Sequence, residues 1–219
     1  MRRTPLALIE TVRIRDGAAP LWHLHLARLY ASCRALGLPH PLELHTPQGG
    51  ADRVHRIEAS GRGGTSHVDV AERRVGADGP VRLVTSRRVA FQPYPYKTNE
   101  RLQFERAAAE AEGQGADGAL LLTREAVVAE GDVWTVLWWE GDRVAGPSLD
   151  LGILPSVARA RIEELAGPVL EQRVTRVGFE ARRPFVANAV RGVVSIARLD
   201  GAEVEPHPGT LRLAASFWA

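Results

Sequence analysis

The sequence predicts an α+β chain in two parts: a small N-terminal α/β domain over 1–78 and a larger, strand-rich C-terminal domain over 79–219. Three observations predict it. Short apolar runs with strand-like alternation recur along the chain, as in LALIETVRI (6–14) and SHVDVAERRV (66–75). Helical stretches are few and do not alternate with strands as an orderly βαβ array would. Gly, Asp and Pro gather in GADGP (76–80), between two strand patterns, and mark the boundary.

The elements follow in order. After the 6–14 strand and the turn RDG, LWHLHLARLYASCRALG (21–37) keeps helical spacing through Leu21, Leu24, Ala27, Ala31 and Leu36. Gly37 suits its C-terminal stop. A second short helix is expected over 51–59, and GRGG (61–64) as a turn too loose for a phosphate loop. VRLVTSRRV (81–89) is a strand. Pro93 and Pro95 keep the chain extended up to Lys97. Asn99 is the expected N-cap of the helix ERLQFERAAAEAEG. GALLLT and VVAEG pair as strands, and VWTVLWW with RVAG forms a hairpin whose Trp134, Trp138 and Trp139 serve packing. GPSLDLGILP is a loop, and Pro155 begins the helix PSVARARIEELAG. PVLEQRVTRV, FVANAV and VVSIARLDG close the chain as strands and turns, with His207 in a tail.

Composition removes several classes of function. Hydrophobic residues make up 45% and charged residues 25%, with a net charge of +2, as in ordinary soluble proteins. No arginine-rich block interleaves aromatics as a nucleic-acid surface does. Cys33 is alone, which excludes a disulfide framework and a cysteine metal cluster. His23 and His25 diverge on a helix, which argues against a helical metal pair. No apolar run reaches the roughly 18 residues a membrane span needs, and MRRTPLALIETV reads as a strand, since Glu10 interrupts the apolar run of a signal peptide. A cytoplasmic enzyme is the expectation.

Of the 28 lysines and arginines, only Lys97, in YPYKTNERL, is a lysine. Arginine stays protonated and is a poor amine nucleophile, whereas lysine can lose its proton and form a Schiff base. Three features could act with it. Glu130 lies in an apolar strand run and must reach solvent or pair with a cation. LGILPSVAR leads into a helix whose first-turn amides form an anion site. Arg28 shares a helix face with His25 and is either a phosphate fork or a solvated helix charge. An amine, a carboxylate and two anion-binding elements are what pyridoxal 5'-phosphate asks for.

These motifs resemble the fold-type IV pyridoxal-phosphate enzymes, the class IV aminotransferase and 4-amino-4-deoxychorismate lyase family. The similarity runs in the family's order through LIETVRIRDGAAPLWHLHLARLYASCRALG, YPYKTNERL, GADGALLLTREAVVAEGDVWTVLWWEGDRV, LDLGILPSVARARIEELA and VANAVRGVVSIARLDG. The resemblance implies that Lys97 is the Schiff-base lysine and that Glu130 pairs with the pyridine nitrogen. It implies that Arg28 binds the phosphate, with the Val157 and Ala158 turn and Asn188 as further phosphate contacts. Thr11 falls near the substrate. A homodimer with the cofactor between two domains is also implied.

The chain departs from the pattern at four places. Phe104 stands seven residues after the lysine, where the family often has tyrosine. Ser156-Val157-Ala158 replaces Gly-Ile-Thr. Asp132 replaces a serine after Glu130-Gly131. The sequence starts at the ETVR strand, without the N-terminal hairpin of longer members. The activity implied first is 4-amino-4-deoxychorismate lyase, giving 4-aminobenzoate and pyruvate in folate synthesis. Transamination of branched-chain or D-amino acids is the alternative, and a catalytically inactive relative the third. Arg73 and Arg74 are candidates for a substrate carboxylate.

Overall fold

The computed structural model describes residues 6–41, 44–47, 52–62, 65–73, 75 and 79–219. It is α+β and divides into two compact units. The first holds residues up to 76 together with 96–100, and the second holds 77–95 and 101–219. The short return segment carries Lys97.

In the first unit, β1 (Ala7–Ile14), β2 (Arg53–Arg62) and β3 (Thr65–Arg73) form an antiparallel meander. One helix, α1 (Trp22–Leu36), packs on β1. Val12, Ile14, Trp22 and Ile57 form one apolar cluster, and Leu8, Leu29, Cys33 and Ala59 a second. The helix ends as expected. Gly37 takes the left-handed conformation (φ 63°), and its amide closes on Arg34 O and Cys33 O.

The expected helix over 51–59 is instead the strand β2. Val54 and Ile57 have helical i, i+3 spacing, but Arg53–Ser60 pairs residue for residue with Ala7–Ile14. Pairing to β3 on the other edge completes the ladder, and tertiary pairing overrides local spacing. Of the turns expected at GRGG and GADGP, residues 63–64 and 76–78 lie outside the described residues, as do Arg74 and the side chain of Arg73.

Among the described residues of the second unit, a nine-stranded sheet has the order β6-β5-β4-β11-β10-β7-β8-β9, with β12 beside β11. Its strands are β4 (Val81–Thr85), β5 (Gly118–Leu122), β6 (Val128–Gly131), β7 (Thr135–Glu140), β8 (Arg143–Pro147), β9 (Leu170–Gln172), β10 (Phe185–Asn188), β11 (Gly192–Leu199) and β12 (Ala202–Glu203). The expected β5–β6 pair and β7–β8 hairpin are both present. Helices α2 (Leu102–Gly113), α3 (Val157–Ala166), α4 (Arg176–Glu180) and α5 (Pro208–Ser216) complete the unit. No helix among the described residues is long and apolar enough to cross a membrane.

Strand β5 is buried on both faces, which explains its unbroken apolar run. Leu120 joins Leu83, Val136, Trp138, Phe179 and Ile196 on one side. Ala119 and Leu121 join Phe91, Tyr94, Phe104, Ala107 and Ala111 on the other.

Local expectations fail where a nearby residue offers a better partner. Asn99 does not cap α2: Arg101 occupies the N-cap, while Asn99 bonds to Ala7 in β1. Pro155 does not begin α3. Ser156 is the cap, its hydroxyl accepting from Ala158 N (3.1 Å) and Arg159 N (3.4 Å). The expected 81–89 strand stops at Thr85, after which Glu110 takes up Ser86 Oγ and the amides of Arg87 and Arg88. His207 is not in a loose tail. It caps α5 by accepting from Gly209 N at 3.1 Å, and its ring stacks on Trp139 with centroids 4.4 Å apart.

Candidate active site

In the first unit, β1 organises the candidate residues. Its alternation points Leu8, Glu10, Val12 and Ile14 to one face. Glu10 is therefore an acid in an otherwise apolar row, and it is 2% exposed. Helix α1 places His25 and Arg28 against it. Arg28 grips the carboxylate with two nitrogens, Nε to Oε1 at 3.0 Å and Nη2 to Oε2 at 2.5 Å. His25 Nδ1 meets Oε2 at 2.6 Å. Burial pushes the Glu10 carboxyl up, but Arg28 and His25 outweigh it and bring its pKa to about 2. Glu10 is thus ionised at neutral pH, and His25 donates from Nδ1. Burial, then the charges of Arg28 and Lys97, hold the imidazole below its ordinary value and neutral.

Lys97 joins this unit through backbone bonds. Ile9 N donates to Lys97 O at 2.7 Å, and Leu8 bridges Thr98. Asn99 closes the segment, its amide donating to Ala7 O at 2.9 Å while its Oδ1 accepts from Ala7 N at 3.1 Å. The lysine sits on the edge of β1 not taken by β2. Its charge acts on His25, so amine, imidazole and guanidinium share one neighbourhood. Thr11 lies on the opposite face of β1 from Glu10, half-buried.

The second unit carries the remaining candidates. In β6 the register against β5 slips by one residue: Leu121 faces Glu130, but Leu122 faces Val128. Ala129 is the extra residue of a β-bulge. Without it, Glu130 would share Val128's face, within the apolar cluster of Trp138 and Phe179. The bulge turns Glu130 to the face of Leu121. Glu130 is 6% exposed. Gly131 follows because a Cβ there would stand 2.8 Å from Trp134 Cβ.

Asp132, 5% exposed, accepts from Ala119 N at 3.0 Å through Oδ1. Burial raises its pKa, and backbone amides and the Arg101 charge oppose this without overcoming it. Arg101 Nη2 donates to Asp132 O at 2.9 Å, and its guanidinium lies 4.9 Å from the Phe104 ring. Phe104 packs edge-on against Tyr94 with centroids 4.8 Å apart, so a hydroxyl at position 104 would enter an apolar cluster.

Asn188 ends β10 and serves its turn: Oδ1 accepts from Val190 N (2.9 Å) and Arg191 N (2.8 Å). Its Nδ2 donates to Val133 O at 3.4 Å, which ties β10 to the segment after Glu130. Helix α3 packs on β10, bringing Val157 and Ala158 to the same part of the unit. The Ser156 hydroxyl already takes the Ala158 amide, which leaves the Val157 amide outside the cap.

The structure thus gathers Arg28 and Lys97 in one unit, and Glu130, Val157, Ala158 and Asn188 in the other. Sequence reasoning missed the partners of Arg28. In the sequence Glu10 is a break in an apolar run and His25 a residue on the arginine's helix face, and neither pattern signals their pairing.

Each unit carries groups that suit part of a phosphorylated pyridine aldehyde: the first an amine for a carbonyl and an arginine for a phosphate, the second a buried carboxylate for a ring nitrogen and helix-start amides for an anion. His25 Nε2, buried and without a hydrogen-bond partner among the described residues, adds a polar atom that a bound group could complete.

Comparison with known proteins gives the family. Residues 49–199 match the family model of amino-transferase class IV. A Thermotoga maritima protein, described provisionally as a branched-chain-amino-acid aminotransferase, is 34% identical over 106 residues, which span 45% of this chain and 39% of that protein. The fold is shared with the branched-chain aminotransferase of Thermoproteus uzoniensis solved with norvaline. The TM-score is 0.86 at 22% identity, over 97% of this chain and 84% of that one. It is also shared with a Legionella pneumophila protein described provisionally as a 4-amino-4-deoxychorismate lyase. There the TM-score is 0.82 at 23% identity, over 96% and 91%. A PLP-bound Mycobacterium tuberculosis hypothetical aminotransferase aligns with a TM-score of 0.83 at 20% identity, over 96% and 87%. At these identities the structural likeness is one of fold, and the family model carries the assignment. This chain belongs to the class IV amino-transferase family of pyridoxal-phosphate enzymes.

Proposed function

We propose that this protein is a lyase that converts 4-amino-4-deoxychorismate to 4-aminobenzoate and pyruvate, with Lys97 as its acid–base residue. The observation that carries the chemistry is the single lysine of the chain, held by its backbone on β1, the strand whose Glu10 grips the part-buried Arg28. The lyase reading is supported by the likeness to the Legionella protein, which extends over 91% of that chain. Transamination of branched-chain or D-amino acids is the second reading, its branched-chain form favoured by the Thermotoga relative.

Bound pyridoxal phosphate supplies an electron sink conjugated to the substrate amine. The residues of this chain do the rest. In this reading Arg28 would hold the phosphate, with the Val157 and Ala158 turn and Asn188 as its further donors. Because Ser156 already engages the Ala158 amide, the Val157 amide is the stronger donor of that turn. Glu130 would keep a proton on the cofactor's ring nitrogen. Lys97 Nζ takes the proton from the amine-bearing carbon and returns a proton to the departing three-carbon fragment. Loss of that fragment aromatises the ring, so substrate equals 4-aminobenzoate plus pyruvate with no second substrate. Positioned acid–base help of this kind is worth about 10²–10⁴-fold in rate.

Two measurements test the reading. Pyruvate release from 4-amino-4-deoxychorismate without any 2-oxo acid supports the lyase. Turnover only with an amino acid and a 2-oxo acid acceptor replaces it with the aminotransferase. Lys97→Arg keeps the charge and should lose both turnover and the cofactor's lysine-dependent visible band. A variant that stays yellow and active removes Lys97 from its role.

A further inference from the structure

A buried ion pair is at best weakly stabilising, because desolvation offsets its attraction. The first unit nevertheless buries an acid, an imidazole and most of a guanidinium between β1 and α1, among Leu8, Val12, Trp22 and Leu29. A row of aliphatic side chains would pack the same interface at lower cost. The arrangement has a geometric consequence that such a row would lack. Glu10 holds Arg28 along the Nε–Nη2 edge, which fixes the plane and heading of the fork. His25 donates to the same carboxylate and stops it from rotating. The Ser32 hydroxyl bonds to Arg28 O at 2.9 Å within the same helix.

The residue next to Glu10 holds the lysine: Ile9 N donates to Lys97 O at 2.7 Å. Adjacent residues of one strand therefore anchor the backbone of the lysine and the guanidinium of Arg28. We propose that Glu10, steadied by His25, is a positioning residue that sets Arg28 at a fixed span from Lys97. The pair then selects ligands carrying a carbonyl and a phosphate at that separation. The proposal rests on Arg28 as the phosphate ligand, and it assigns the discrimination between phosphorylated and unphosphorylated ligand to a residue that touches neither.

The test is a titration of the full chain, freed of cofactor, with pyridoxal 5'-phosphate and separately with pyridoxal, followed by the visible band and by fluorescence quenching. The readout is the ratio of the two affinities, which a merely structural defect would leave unchanged. Glu10→Gln keeps the shape but weakens the grip. It should lower pyridoxal phosphate affinity by about tenfold or more, the usual cost of losing an outer partner of a binding group, and leave pyridoxal affinity as it was. Should Glu10→Gln fail to fold, Glu10→Asp serves, since it keeps the charge, draws the fork back by one methylene and should lower the ratio likewise. A folded Glu10 variant with the wild-type ratio overturns the inference, as does an equal weakening of both ligands. Arg28→Lys separates the two levels. If it too leaves the ratio unchanged, Arg28 is not the phosphate ligand and the underlying reading falls; if it alone lowers the ratio, only the role of Glu10 falls.

Discussion

Glu10 and Asp132 are both acids with almost no exposure, yet their pKa values move in opposite directions. Glu10 lies in the first unit between a guanidinium and an imidazole, and its pKa falls to about 2. Asp132 lies in the second unit with backbone amides as its main partners, and its pKa rises. Burial acts the same way on both. The difference is that two nitrogens of a full cation bond Glu10, whereas amide dipoles carry no net charge. Burial alone therefore does not say whether a carboxylate is charged; the partner's charge does.

The largest expected effect comes from breaking the first case. Glu10→Ala leaves Arg28 without its main counter-ion and should cost about 3 kcal/mol, measured by denaturant unfolding. The folded pKa lies below the ordinary 4.5, so the stabilisation is present above that value and is lost as pH falls from 4.5 towards 2. An acid titration of stability should fall over this window in the wild type and flatten in Glu10→Gln. A wild-type slope in Glu10→Gln would show that other carboxylates govern acid unfolding.

The second case should respond in the opposite sense. Asp132 has a raised folded pKa, so its ionisation opposes folding as pH rises through the ordinary 3.8 and beyond. Asp132→Asn keeps an oxygen for Ala119 N and removes the charge. Its melting temperature should be higher than the wild type's at neutral pH, with the gain vanishing in acid. A loss of stability at neutral pH would show that Asp132 has a cationic partner in solution. The smallest effect calibrates both. Arg13 pairs with Asp52 at 2.5 Å, but Asp52 is half exposed, and Asp52→Ala should cost less than about 1 kcal/mol.

Much of the fold was legible locally. Helix α1 announced both its apolar stripe and its glycine stop, and the β5–β6 and β7–β8 pairs followed from alternation and turn residues. Errors arose where distant partners decided. Val54 and Ile57 looked helical until β1 and β3 claimed them, and Asn99 looked like a cap until Ala7 claimed both its backbone and its side chain. The same holds for the candidate site. Lys97 stood out because its chemistry is unique in the chain, and Arg28 as a helix-face cation whose phosphate role only the resemblance singled out. Glu10 and His25 carried only the faint signal of polar residues on apolar faces.

The sequence by itself determined what depends on neighbours along the chain. That covers the α+β class, the helix α1 and the paired strands β5–β6 and β7–β8, the one side-chain amine able to act as a nucleophile, and the family to which the motifs belong. Only the tertiary structure decided which way charged side chains face and what they meet. The bulge at Ala129 turns Glu130 off the Trp138 face, and β1 sets Glu10 against Arg28 while its edge fixes Lys97. The reason is physical. Propensity and periodicity are properties of a few consecutive residues, whereas register, burial and the sign of a pKa shift depend on groups brought together from distant parts of the chain.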